Sequence, residues 1–284
     1  MRKPEAVVFA VMAFALAACA GGIGAPPPPA AVPAMAPVVD PAGPAVRITG
    51  FLDAATTPSA TAIIPPAPKE GEARNAADWA MFKATRALEG GERWKLAIND
   101  DNYTPPAILK DFSCAMDAEL TVQNVPTLSR VLSRAATDAA NAAAATKDVY
   151  KRTRPYLHNE GAICIARSEG LTRSYDYPSG HASASWIEGL ILAQLAPDRS
   201  EKLLTRARAY GESRIVCGVH NWSAVEAGRT NAAGVFAAMQ GSADYQSELA
   251  KAKAELAAVR ASGRKPDAAA CAKEFELTRP LVVN

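Results

Sequence analysis

The chain has 284 residues, 49% of them hydrophobic and 21% charged, with 31 Lys and Arg against 29 Asp and Glu for a formal net charge of +2. This is apolar content enough for one buried domain of about 200 residues plus accessory segments, and interspersed charges exclude the broad basic face that nucleic acid would require. Aromatics reach only 6% while Ala dominates the periodic stretches, which argues against a base-stacking platform and for an all-α fold.

Arg2 and Lys3 precede the apolar run from Val7 to Ala20, which is too short and too rich in small residues for a membrane span and reads as an export signal. The run ends in Leu16-Ala17-Ala18-Cys19, which resembles a bacterial lipobox, with residues 1–19 as the signal and Cys19 as the lipidated mature N-terminus. Ordinary cleavage near Ala20 is the alternative. Either route places the mature chain in the periplasm, and lipidation would hold it at the outer membrane. Residues 20–46 are almost all Ala, Pro, Gly and Val, with Pro26 to Pro29 in a row, a composition that forms an extended tether and no core. The folded domain is expected over 47–284. Its first stretch mixes Pro and Thr with Ile48, Phe51, Leu52, Ile63 and Ile64, so it should pack irregularly over the domain until the cluster Pro65, Pro66 and Pro68.

Helix signals follow. Asn75 reads as an N-cap, Trp79, Phe82 and Leu88 as the periodic face, and Gly90-Gly91 as the stop. A helix begins near Pro106, and the longest runs from about Thr127 to Lys151, where Leu128, Val131, Leu132 and a long Ala stretch give a narrow, closely packing face. Further helices are expected over 180–196, 199–214 and 223–240, with a solvent-facing tail helix over 244–261. No segment alternates as a strand. Outside the cytoplasm the four cysteines Cys114, Cys164, Cys217 and Cys271 read as two disulfides, with three connectivities open. There is no CxxC pair and the histidines lack ligand spacing, so neither a metal nor another cofactor is expected.

Three segments carry chemistry. Lys147 to Pro155 gathers cations at the end of the long helix, where Lys147 and Arg154 can reach one anion if that end lines a pocket. Pro178-Ser179-Gly180-His181 opens an apolar helix, with Ser179 as N-cap and Gly180 leaving the backbone N–H groups open to phosphate oxygens. Ser213-Arg214 and His220 lie at a helix junction, and Arg214 can clamp an oxyanion with two parallel donors. Each has a bland reading alone, as a solvated terminus, a capped helix or a structural Arg.

Their order changes the odds. Lys147, Arg154-Pro155, Pro178-Ser179-Gly180-His181, Ser213-Arg214 and His220 together resemble the signature of the PAP2 superfamily, and within it the soluble class A bacterial non-specific acid phosphatases, relatives of the vanadium haloperoxidases. Weaker similarity runs from the Pro cluster at 64–68 to Gln240. The resemblance implies an all-helical bundle and a metal-independent phosphomonoesterase acting on small molecules. Lys147, Arg154 and Arg214 would neutralise the phosphate, Ser179 and Gly180 would complete the cradle, His220 would take the phosphoryl group, and His181, protonated, would serve the leaving alcohol. Under the same resemblance Cys164 pairs with Cys217 and Cys114 with Cys271, while His158 is a surface residue near the site.

One position departs from the pattern. Four residues after the nucleophilic His the family has an Asp that orients the imidazole, and here that position is Ala224. Losing such a carboxylate from a His-dependent triad costs on the order of 10⁴ in rate. Glu226 is the nearest substitute in sequence, although Ser223-Ala-Val-Glu226 reads as a capping box, and a backbone carbonyl is another. If nothing substitutes, Ala224→Asp should raise turnover. A phosphate binder without turnover and a vanadium haloperoxidase are the alternative functions. The sequence leaves homo-oligomer formation open.

Overall fold

The computed structural model describes residues 48–281. The export signal, Cys19 and the tether lie outside the described residues, which form eleven α-helices and no strand. In chain order these are α1 (Ala60–Ile63), α2 (Ala73–Arg86), α3 (Glu92–Asn99), α4 (Pro105–Met116), α5 (Pro126–Tyr150), α6 (Glu169–Arg173), α7 (Gly180–Leu195), α8 (Ser200–Val216), α9 (Trp222–Met239), α10 (Ala243–Ala261) and α11 (Ala268–Leu277). The all-α expectation holds. No described helix is long and apolar enough to cross a membrane.

Helix α7 is the centre of the bundle. It packs on α5, α8 and α9, and with neighbours on all sides it is apolar nearly all round, burying Ala184, Ile187, Ile191 and Leu192 completely. Small residues set how close its neighbours come. A Cβ on Gly189 would lie 2.4 Å from the Ala207 Cβ, so α7 and α8 cross at a distance only glycine allows. The Ala face of α5 serves the same end, burying Ala135, Ala139, Ala142 and Ala143.

The irregular start of the domain is pinned as expected. Phe51 and Leu52 pack on the main core, the Phe51 amide donates to Asp138 at 2.7 Å, and the Arg134 guanidinium lies 3.8 Å from the Phe51 ring centre. Other expectations need correction. Asn75 is not an N-cap: α2 starts at Ala73 after Glu72, and the Asn75 side chain instead accepts from Arg152 at 3.0 Å. Trp79 faces outward while Phe82 is buried. Helices α3 and α11 are too short to show a period, and α11 is set by its Asp267 cap, which accepts from the Ala270 amide at 2.7 Å.

The tail helix is not solvent-facing. Tyr245, Leu249, Ala252, Leu256 and Val259 make a buried stripe at three- and four-residue spacing, diluted in sequence by the Lys and Glu between them. Its Glu255 accepts from the amides of Thr127 and Leu128 at 2.8 and 3.1 Å, so it supplies from α10 the cap that the α5 N-terminus lacks.

Two disulfides are formed, Cys164–Cys217 and Cys114–Cys271, with Cα separations of 4.6 and 5.2 Å. These are the pairs implied by the resemblance. The second fastens α11 to α4 across 157 residues of sequence, and cross-links of such span contribute about 2–5 kcal/mol by constraining the unfolded chain. The double variant Cys114→Ala/Cys271→Ala should therefore unfold about 5–15 °C lower than the wild type in a circular-dichroism melt. An unchanged midpoint would contradict this role.

Candidate active site

The three chemistry-bearing segments meet where α5 ends, α7 begins and α8 passes to α9. Lys147 occupies the last turn of α5, buried, its ammonium donating to the Tyr175 carbonyl. Burial and the adjacent Arg154 push its amine down to about 7. The helix stops where Lys151 takes a left-handed conformation (φ 47°), and the chain turns back to bring Arg154 inward. Arg154 donates from Nε to the Ser174 carbonyl at 2.8 Å and from one terminal nitrogen to the Val219 carbonyl at 2.7 Å, and this nitrogen stands 3.0 Å from His220 Nε2.

Ser179 caps α7, its Oγ accepting from the Ala182 amide at 3.3 Å while its own amide donates to the Ala224 carbonyl at 2.9 Å. At Gly180, the first helical residue, a Cβ would meet no atom within 4 Å, so open space lies against the helix tip. Here N–H groups have no acceptor within the helix. The opposite condition holds at Gly228 in α9, where a Cβ would come 2.6 Å from the Ser179 carbonyl. Only glycine lets α9 seat against the turn that carries the cap.

His181 follows, half-buried, its ring edge-on to Tyr103 with centres 5.5 Å apart. Arg214, in the last turn of α8, is buried, and its Nε has no hydrogen-bond partner among the described residues. One of its terminal nitrogens lies 2.8 Å from the Asp101 carboxylate. The turn bearing Asp101 is anchored by Asp100, which pairs with Arg206 at 2.7 Å and accepts from Ser213 Oγ at 2.6 Å. The Cys164–Cys217 bridge, with the Cys164 amide on the Cys217 carbonyl at 3.0 Å, ties the loop after Arg154 to the end of α8. His158 lies on the surface, 2.6 Å from Thr153 Oγ1.

The His220 ring is fixed at both ends. Its amide and that of Val219 fold back on the Arg214 carbonyl at 3.2 and 3.1 Å. Since a guanidinium only donates, Nε2 must accept from Arg154, and the ring proton belongs on Nδ1. Nδ1 lies 2.9 Å from the carboxylate of Asp176. Asp176 also accepts from the Asn221 amide at 3.1 Å and the Asn221 side chain at 2.8 Å, with Arg152 at 3.5 Å. Arg152 in turn pairs at 2.8 Å with Asp78, which accepts from the Ser223 amide at 2.7 Å.

The expectation at Ala224 is thus revised. The methyl of Ala224 is buried among Ala60, Ile64, Tyr177 and Ala227, and the carboxylate on the ring comes from a different segment. Glu226 does not substitute: it accepts from Trp222 Nε1 at 3.1 Å and from Arg229, and the capping box does not form because α9 starts at Trp222 after Asn221. Sequence reading passed over Asp176, Asp101 and Tyr103. Asp176 stands three residues before Ser179, yet nothing in its spacing ties it to a His 44 positions on.

Charge shapes both imidazoles. Burial, then Arg154, Lys147 and Arg214, hold His220 well below the ordinary range. Burial, then Arg214, His220 and Arg154, do the same to His181. Both rings therefore favour the neutral form more strongly than a free imidazole does. A dianion placed among the cations offsets their effect and favours the imidazolium.

A site of three cations, a helix tip and two imidazoles is suited to a tetrahedral oxyanion, and comparison with known proteins agrees. Residues 127–245 match the model of the PAP2 superfamily. The chain is 37% identical over 207 residues to an acid phosphatase of Zymomonas mobilis, covering 72% of this chain and 78% of the relative. It is 31% identical over 201 residues to a non-specific acid phosphatase of Providencia stuartii (70% and 81%), and 31% identical over 195 residues to one from Salmonella typhimurium (68% and 78%). The chain belongs to the PAP2 superfamily, among its acid phosphatases, and is a phosphatase.

Proposed function

We propose that the chain hydrolyses small-molecule phosphomonoesters without a metal, through a phosphohistidine on His220. The observation that carries this reading is the fixed tautomer of His220, whose Nε2 lone pair faces the cation cluster while Nδ1 carries the proton. Lys147, Arg154, Arg214, Ser179 and the Gly180 N–H would hold the phosphate oxygens, stabilising the charge that spreads over them in the transition state. Arg154 exchanges its contact with Nε2 for a phosphate oxygen as substrate enters.

Nε2 attacks phosphorus while the bond to the alcohol oxygen breaks, and His181 gives that oxygen a proton. Water then attacks the phosphohistidine, His181 takes up the water proton, the P–N bond breaks and its electron pair returns to Nε2. Depressed basicity suits the nucleophile, because it keeps the Nε2 lone pair of His220 free of a proton further into acid than in an ordinary imidazole. The compartment follows from other features: the lipobox-like start and two structural disulfides support export to the periplasm, with Cys19 as a lipid anchor.

Rapid quench with ³²P-labelled substrate should trap an alkali-stable, acid-labile phosphoenzyme. His220→Ala should abolish the label and lower kcat by about 10³ or more, and EDTA should change neither. Turnover of His220→Ala equal to wild type would refute the covalent route. No turnover in either would mark a binder.

The pH dependence follows from Lys147. Its amine, down to about 7, is charged below that pH and neutral above, so anion binding weakens as pH rises through it. The fall of kcat/KM should therefore steepen above pH 7. In Lys147→Arg, whose cation does not titrate there, the steepening should vanish, and its persistence would assign that limb to another group.

A further inference from the structure

We propose that Asp176 is the positioning residue of His220, so that the orienting carboxylate missing at Ala224 is supplied from the turn that precedes the phosphate cradle. This rests on the reading of His220 as nucleophile, and adds to it the group that aims the ring. Everything facing the Asp176 carboxylate is a donor: His220 Nδ1, the Asn221 amide and side chain, and Arg152. Burial pushes the Asp176 carboxyl up, but a protonated carboxyl would have no acceptor for its own proton, so the donors around it favour the anion. The carboxylate then accepts from Nδ1–H and leaves Nε2 free of a proton, and it stabilises the charge the ring acquires on phosphorylation.

The placement is rigid. The Asp176 amide donates to the Arg152 carbonyl at 2.7 Å, and Arg152 is clamped by Asp78 at 2.8 Å and by Asn75 and Ser223 at 3.0 and 2.8 Å. Asn221, next to the nucleophile, spends both its amide and its side chain on the same carboxylate. Position 224 has meanwhile become part of an apolar cluster with Tyr177. An Asp there would bury a second anion beside the first, with no donor provided for it.

Asp176→Asn is isosteric, but either orientation of the amide turns an NH₂ toward donors. Its kcat for p-nitrophenyl phosphate should fall about 10²- to 10⁴-fold, with KM and the inhibition constant for inorganic phosphate within about threefold of wild type. Ala224→Asp should lower turnover rather than raise it. In wild-type protein, ¹⁵N-edited NMR should show His220 as the Nδ1–H tautomer, a readout that needs no variant to fold.

A kcat for Asp176→Asn within threefold of wild type, while His220→Ala is inactive, would overturn the role of Asp176 and leave the nucleophile standing. A loss of phosphate affinity equal to the loss of kcat would overturn it too, since the pocket itself would have collapsed. So would an Nε2–H tautomer, or a gain of turnover in Ala224→Asp. Activity equal to wild type in His220→Ala would instead remove the nucleophile reading on which the proposal stands.

Discussion

Three cations must be held together inside the protein before their ligand arrives, and the rest of the structure is arranged around that repulsion. Carboxylates would be the simplest restraint, but they would also cancel the charge the site exists to offer. The chain mostly uses backbone carbonyls. Tyr175 holds Lys147, and Ser174 and Val219 hold Arg154, leaving both side chains fixed by groups that carry no net charge. Carbonyl dipoles fix direction without removing charge. Supplying them at such depth requires parts of two segments, 152–179 and 217–221, to run through the interior, residues 154–156 and 176–179 of the first and all of the second, and their own polar groups must then be satisfied.

That requirement accounts for much of the scaffold. The Cys164–Cys217 bridge joins the two segments. Arg86 of α2 reaches across to donate to the carbonyls of Ile215 and Val216 at 3.0 and 2.6 Å, closing the end of α8 where Arg214 resides. Asp100, Arg206 and Ser213 form a buried polar layer behind Arg214. Close crossings at Gly189 and Gly228 bring α7 against its neighbours, so the helix tip is immobilised by packing and does not depend on the loops alone.

The sequence carried the local determinants of this arrangement well. Ala-rich periodicity located α5, and the cap at Ser179 located α7, because both are set by residues within a few positions of each other. The cation and histidine positions were legible because helix ends occur where helix signals stop. What escaped was decided by distant partners. Asn75 looks like a cap but serves Arg152, and α10 looks solvated because its buried stripe touches α5, 110 to 130 positions earlier. Asp176 escaped for the same reason: its significance lies in a ring 44 residues downstream.

The union of Asp176 with the Ser179-Gly180-His181 turn has a consequence for how relatives of this chain are recognised. A linear pattern that insists on an acid four places after the second histidine discards it, although the spatial pattern of an imidazole braced by a carboxylate is complete. Paired inspection of both positions, two places before the proline and two places after the tryptophan, separates chains that have moved their brace from chains that have truly lost it.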